Sequence, residues 1–437
     1  MRVLVLTRST GEGHNHAAKA IAQAFANDGH SCDLMDALHV YEEGRDLLGD
    51  DGAPARPRRA GRRHPRRFPA PPGTGSGGES PASPSAGAGA DPSTALEPVG
   101  PAPTGAKPRR RAADIASQLY GWAAFKFPPL FGASYALGDI WSRTRVPSPV
   151  WLQNQRYAAA TDAYIHQHGY DIVVATHTFP QLTCSAIRAR YPSTIKFYGI
   201  LTDYTCSPFW SEGKIDGYFI PHPDMADECR RQHLDMNRTY ALGLPVADAF
   251  QHPIDRATAR AELGLPGDAP VFLLMSGGVG SMKTRELCDI LLTQSTEDTR
   301  VIVLTGRRED LFTKIARRYR VDRRVSVVHF TNRVATYMAA ADVLLTKPGA
   351  VSITEAAVIG LPMVLTGAIP GGETKNSRFF LQRGMATSAQ TVNEAAMVAH
   401  RLLVDQAARQ TMRQCQKTNM EPDAAERIVH RIEDLAL

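Results

Sequence analysis

Two glutamates and two histidines sit in glycine-rich stretches of this 437-residue chain, and their types suit chemistry. In KPGAVSITEAAVIGLPMVLTGAIPGGETKN, residues 347 to 376, Glu355 opens a helical run and Glu373 stands in a Gly-Gly turn. A carboxylate at Glu355 can accept both hydroxyls of a ribose, or it can complement a helix dipole from the first turn. Glu373 can equally be a solvated turn residue. In TGEGHNH, residues 10 to 16, His14 follows Gly13 close to a helix N-terminus, whose positive potential disfavours imidazolium. A neutral imidazole there can act as a general base, or it can simply close the loop. SGGVGSMKT, residues 276 to 284, leaves a strand and enters a helix. Gly277, Gly278 and Gly280 let the backbone approach a diphosphate, and the helix start supplies free N–H groups. The spacing is neither a P-loop nor a dinucleotide fingerprint, so a tight turn is the alternative.

These residues need rigid elements to hold them. RVLVLT is a short apolar strand, and Ala17, Ala20, Ile21, Ala24 and Phe25 then follow helical spacing until Gly29 ends the helix. SCDLMDAL, YDIVVATHTF, IKFYGILTDY and IDGYFIPH read as further strands. After the Gly-x-Pro of YALGLPVADAF the pattern repeats through VFLLMSGG, RVIVLTG, RVSVVHF, ADVLLTKPG and LPMVLTG. Strands alternating with helices predict an α/β protein of two Rossmann-like, doubly wound domains facing each other across a cleft. The boundary is expected at 245/246. Ligands in such sheets sit beyond the carboxyl ends of the strands, where both Gly-loops lie.

Residues 51 to 111 interrupt the first domain with 13 prolines and 11 Lys/Arg against 4 Asp/Glu. That is +7 in a chain of +6, so the rest sums to about −1 and the basicity gives no reason to expect nucleic acid. The segment reads as a disordered insert, either a plain spacer or an electrostatic tether to an anionic membrane surface. Six cysteines without C-x-x-C pairing read as reduced thiols of a cytoplasmic protein. MRVLVLTRST is unlike a signal peptide, and no apolar run reaches the roughly 18 residues of a membrane span. No D-x-D pair is present to hold a metal ion on a diphosphate, so no metal and no other cofactor is expected.

Taken together, GEGHNHAAKAI, LTDY (201 to 204), GLPV, SGGVGSMK and the 347–376 block resemble a glycosyltransferase of the GT-B fold. More narrowly, the chain is similar to the family of processive diacylglycerol glucosyltransferases and monogalactosyldiacylglycerol synthases, family 28-like. The resemblance implies an N-terminal acceptor domain over 1–245 and a C-terminal donor domain over 246–437. It implies that Glu355 holds the ribose of UDP-glucose or UDP-galactose. Gly277, Gly278 and Gly280 would line the diphosphate, and Lys347, Pro348 and Gly349 would shape the site. Gly372, Glu373 and Asn376 would meet the sugar hydroxyls. His14 is the implied base, with Asp203 of LTDY as second candidate. The expected reaction is metal-independent, inverting transfer to diacylglycerol or a similar lipid, on the inner face of the cell membrane. Two departures stand out, Ala350 after Gly349 and Gly372 before Glu373, where the family carries K-P-G-G and G-Q-E variants.

On the acceptor side, Gly13 and the aromatics Trp122, Phe125, Phe127, Phe131 and Trp141 are expected at the lipid interface, or else as a core patch. Rival readings are a same-fold transferase using an undecaprenyl-linked or small soluble acceptor, a UDP-sugar 2-epimerase, and a non-catalytic UDP-sugar sensor.

Overall fold

The computed structural model describes residues 1–8, 12–48, 148–275 and 283–436. The 51–111 insert, Trp122, Phe125, Phe127, Phe131, Trp141 and the loop glycines Gly277, Gly278 and Gly280 all lie outside the described residues.

The apolar runs form two parallel sheets. The first comprises β1 (Arg2–Thr7), β2 (Ser31–Asp36), β3 (Ile172–Ala175), β4 (Lys196–Ile200), β5 (Gly217–Ile220) and β6 (Thr239–Ala241), in the order β2-β1-β3-β4-β5-β6. The second comprises β7 (Val271–Met275), β8 (Arg300–Leu304), β9 (Val325–Val328), β10 (Val343–Thr346), β11 (Met363–Leu365) and β12 (Thr387–Ser388), in the order β12-β11-β10-β7-β8-β9. Sheets covered by helices on both faces bury every side chain of their central strands. This explains why β1, β3 and β10 are unbroken apolar runs rather than alternating ones.

Strand order reverses between β1 and β3 in the first sheet and between β7 and β10 in the second. Crevices open at such reversals, outside the carboxyl ends of the strands. His14 follows β1 and Lys347 follows β10, so each domain brings a candidate residue to its own crevice. At the other end of the second sheet, buried Arg260 donates to Asp342 at 3.0 Å. The Val271 N–H donates to the same carboxylate at 2.8 Å. Those contacts tie the starts of β7 and β10 together.

The expected boundary needs one correction. The last helix, Ala424–Ala436, belongs to the first domain and not the second. Its Ala425, Ile428, Val429 and Ile432 share a buried cluster with Val3, Val5, Ile21, Phe25, Ile172 and Phe219. The apolar face of the Glu12–Asn27 helix is what it covers, because that face would otherwise meet water. Gly243 marks the crossing: its φ is +101°, and a Cβ there would lie 2.7 Å from Cβ of Ala424. The outgoing and returning chains therefore touch at the residue that the sequence marks as the junction.

Candidate active site

The Glu12–Asn27 helix carries His14 in its first turn and directs it to the β1/β3 crevice. There the ring Nδ1 lies 2.6 Å from Oγ1 of Thr202, just past the end of β4. A second histidine stands across from it. His177 follows β3, and its ring meets that of His14 edge-on with centroids 4.6 Å apart. Burial is the largest influence on both rings and holds each below its ordinary value, His177 well below. For His14 the nearby Asp203 carboxylate and a hydrogen bond to the Thr176 backbone pull the other way. Both imidazoles are thereby kept neutral at pH 7. Asp203 is raised by burial, which His14, Asn376 and Lys347 partly offset.

Asp203 is also where the two domains join. Asn376, fully buried in the Gly372–Gln382 helix, donates through Nδ2 to Oδ1 of Asp203 at 2.8 Å. Its Oδ1 accepts the backbone N–H of Tyr204 at 2.8 Å, and Nδ2 also lies 3.4 Å from the Pro348 carbonyl. Tyr204 continues the junction, its hydroxyl 2.7 Å from Oγ1 of Thr354 and its ring stacked on Phe379 at 4.6 Å. A Cβ on Gly372 would lie 3.7 Å from the Asp203 carboxylate, so the start of this helix sits directly over the acid.

Lys347 pairs with Glu373, whose other oxygen accepts the Ile369 N–H at 2.9 Å. Glu373 is the second residue of a helix rather than part of a turn, and it fastens the loop before that helix. Glu355 is likewise displaced from its expected place. It is the sixth residue of the Ala350–Ile359 helix, capped by Gly349, so it is not a first-turn complement to the dipole. Its carboxylate is 2% exposed and lies 3.2 Å from Nδ1 of His16 in the opposite domain. Gly13 faces the same helix, since a Cβ on it would lie 3.6 Å from Val351.

The structure thus brings His14, Asp203, Lys347, Pro348, Gly372, Glu373 and Asn376 to one interface, with Glu355 and Gly13 along its neighbouring edge. Sequence reading missed His177 and Thr202. The available signal was a polar residue two places past the end of each of two buried strands, in VVATH and YGILT.

Two parallel six-stranded sheets meeting through their crevice loops give the chain the GT-B fold of glycosyltransferases. The glycosyltransferase of kitacinnamycin superposes with a TM-score of 0.58 at 13% identity, over 100% of this chain and 99% of that one. Acinetobacter baumannii MurG gives 0.51 at 16% identity over 99% of both chains. In sequence, residues 125–246 match the family described as monogalactosyldiacylglycerol (MGDG) synthase, and residues 276–428 match the glycosyltransferase family 28 C-terminal domain. The two matched segments together take in more than half of the chain, an MGDG synthase domain followed by a glycosyltransferase family 28 C-terminal domain.

Among its relatives, the processive diacylglycerol beta-glucosyltransferase of Bacillus licheniformis is 26% identical over 274 residues, 62% of this chain and 70% of that one. The chloroplastic monogalactosyldiacylglycerol synthase 1 of Arabidopsis thaliana is 25% identical over 334 residues, 72% of this chain and 62% of that one. The Staphylococcus carnosus processive diacylglycerol beta-glucosyltransferase is 24% identical over 231 residues, 53% of this chain and 59% of that one. The last two are thus spanned over less than two thirds of their length.

Proposed function

We propose that the chain is an inverting, UDP-sugar-dependent hexosyltransferase whose acceptor is diacylglycerol or a related membrane lipid. One observation carries the reading. The His14–Asp203 pair of one domain meets the 347–376 block of the other at a single interface, in a chain matching the MGDG synthase and family 28 domains.

In the proposed reaction the acceptor hydroxyl loses its proton to neutral His14 as its oxygen attacks the anomeric carbon. The bond from that carbon to the diphosphate breaks on the opposite face, and UDP leaves with the electron pair. Asp203 stabilises the imidazolium that forms, because it is the carboxylate whose charge acts on His14. Gly277, Gly278 and Gly280 receive the diphosphate, while the helices that begin at Ala350 and Gly372 supply backbone N–H groups and partial positive charge. With no D-x-D pair in the sequence, transfer proceeds without a metal ion. Glu355 holds the ribose once the Glu12–Asn27 helix draws back from it.

Among the described residues no helix is long and apolar enough to cross a membrane. We place the enzyme on the inner face of the cell membrane as a peripheral protein held to an anionic surface.

The test is incubation with radiolabelled UDP-glucose or UDP-galactose and diacylglycerol vesicles, with and without EDTA. Labelled lipid from one donor, unaffected by EDTA, supports the reading and identifies the sugar. UDP binding with no labelled lipid from either donor supports a nucleotide-sugar sensor instead.

A further inference from the structure

His14 touches a hydroxyl with a single proton to give. Thr202 is 5% exposed, and its Oγ1 lies 2.6 Å from Nδ1 of His14 and 3.4 Å from the carbonyl oxygen of Thr176. A carbonyl only accepts. The two Thr202 contacts hold together when Thr202 donates its proton to the Thr176 carbonyl and His14 Nδ1–H donates to Thr202 Oγ1, and the Thr176 backbone also bonds the His14 ring itself. The reverse arrangement spends the hydroxyl proton on His14 and breaks the Thr202–Thr176 contact. A neutral imidazole carries one ring proton, so a proton fixed on Nδ1 leaves the lone pair on Nε2.

The ring beside it is fixed the other way. His177 caps the Thr178–Arg190 helix, its Nδ1 accepting the Phe179 N–H at 3.1 Å. Its proton therefore sits on Nε2. The crevice holds two neutral imidazoles of opposite tautomer, each set by a partner that does not titrate near neutral pH. Thr176 adds a second constraint on the same turn, since its hydroxyl donates to the His14 backbone carbonyl at 3.3 Å.

We propose that Thr202 is the positioning residue of the site, holding His14 in the Nδ1–H tautomer so that Nε2 is the nitrogen that takes a proton. The inference rests on the transferase reading for its consequence but not for its geometry. The two tasks of a triad carboxylate are divided here: Thr202 orients the ring and fixes its tautomer, while the charge that acts on His14 is that of Asp203.

The experiment uses the full chain labelled with ¹⁵N-histidine, and two-bond ¹⁵N–¹H spectra read each ring's tautomer. His14→Gln identifies the His14 signals by their loss. Wild-type His14 is expected as the Nδ1–H form, Thr202→Ser as the same form, and Thr202→Val as a mixture or the Nε2–H form. An Nε2–H ring in the wild type, or no change in Thr202→Val, overturns the proposal. The wild-type spectrum decides even if a variant folds poorly. In kinetics, Thr202→Val is expected to lower kcat by about 10²-fold, the low end of what a positioned base contributes, with KM for the UDP-sugar within about twofold. Thr202→Ser is expected to restore most of kcat. A tautomer that shifts while kcat holds upholds the assignment and removes His14 from the base role, so the two readings fail separately.

Discussion

Asn376 and Asp203, 173 residues apart in sequence, are joined at 2.8 Å across the junction of the two domains. The same amide accepts the Tyr204 N–H, so one buried side chain of the second domain fixes the loop that carries the acid beside His14. The position of Asp203 relative to His14 is therefore a property of both domains together.

Asn376→Ala leaves the Tyr204 N–H and one oxygen of Asp203 without these partners. A buried polar group left unsatisfied costs about 1 to 3 kcal/mol. Urea denaturation is expected to show a loss in that range, and kcat is expected to fall with it. Stability within about 0.5 kcal/mol of wild type, the usual effect of a plain surface change, would remove Asn376 from this role.

His16 and Glu355 make a second junction that the proposed ribose must displace. His16→Ala is expected to tighten UDP binding, by up to about tenfold for one hydrogen bond lost from the competing contact. Glu355→Ala is expected to weaken it. Calorimetric titration with UDP reads both, and unchanged affinity in the two variants would leave Glu355 a purely structural carboxylate.

The two histidines also predict how stability depends on pH. Each has a folded-state value below the ordinary 6.5, so the unfolded chain binds more protons as pH falls past that value. Stability from these sites is complete above pH 6.5 and is lost on acidification. Thermal midpoints measured from pH 8 to 5 are expected to fall, and less steeply in His177→Gln, which cannot charge. Equal slopes in the two proteins would mean that His177 is protonated as readily in the fold as out of it.

Ile428 tests the return of the chain. It is fully buried in the first domain's cluster although it lies in the last helix. Ile428→Ala is expected to cost about 2 to 5 kcal/mol, as large-to-small core changes do. Amide exchange should show the loss in β1 and the Glu12–Asn27 helix. A loss confined to the second sheet would place the helix elsewhere.

The alternation of buried strands and helices was legible in the sequence because parallel strands need continuous apolar runs, and GEGHNH and KPG fell at their ends as expected. The destination of the last helix was not. An amphipathic face such as that of Ala425, Ile428, Val429 and Ile432 has the same period whichever domain it covers. Asn376 could be read as a site residue but not as a clamp, since its partners are 172 and 173 residues away. His177 looked like the end of a strand, because nothing in ATHTF shows that β3 lies next to β1. Glu355 was placed one turn too early, since Ala350 and Val351 gave no sign that the helix had already begun at the Gly349 cap.

The central claim is that His14 takes the acceptor's proton while the other domain holds the donor. His14→Ala, assayed for hexosyl transfer to diacylglycerol vesicles and titrated with UDP in the same preparation, tests it most directly. The account predicts kcat lower by about 10²- to 10⁴-fold, the contribution of a general base, with UDP affinity within about twofold of wild type. Near-wild-type kcat, or UDP binding lost together with activity, would contradict it.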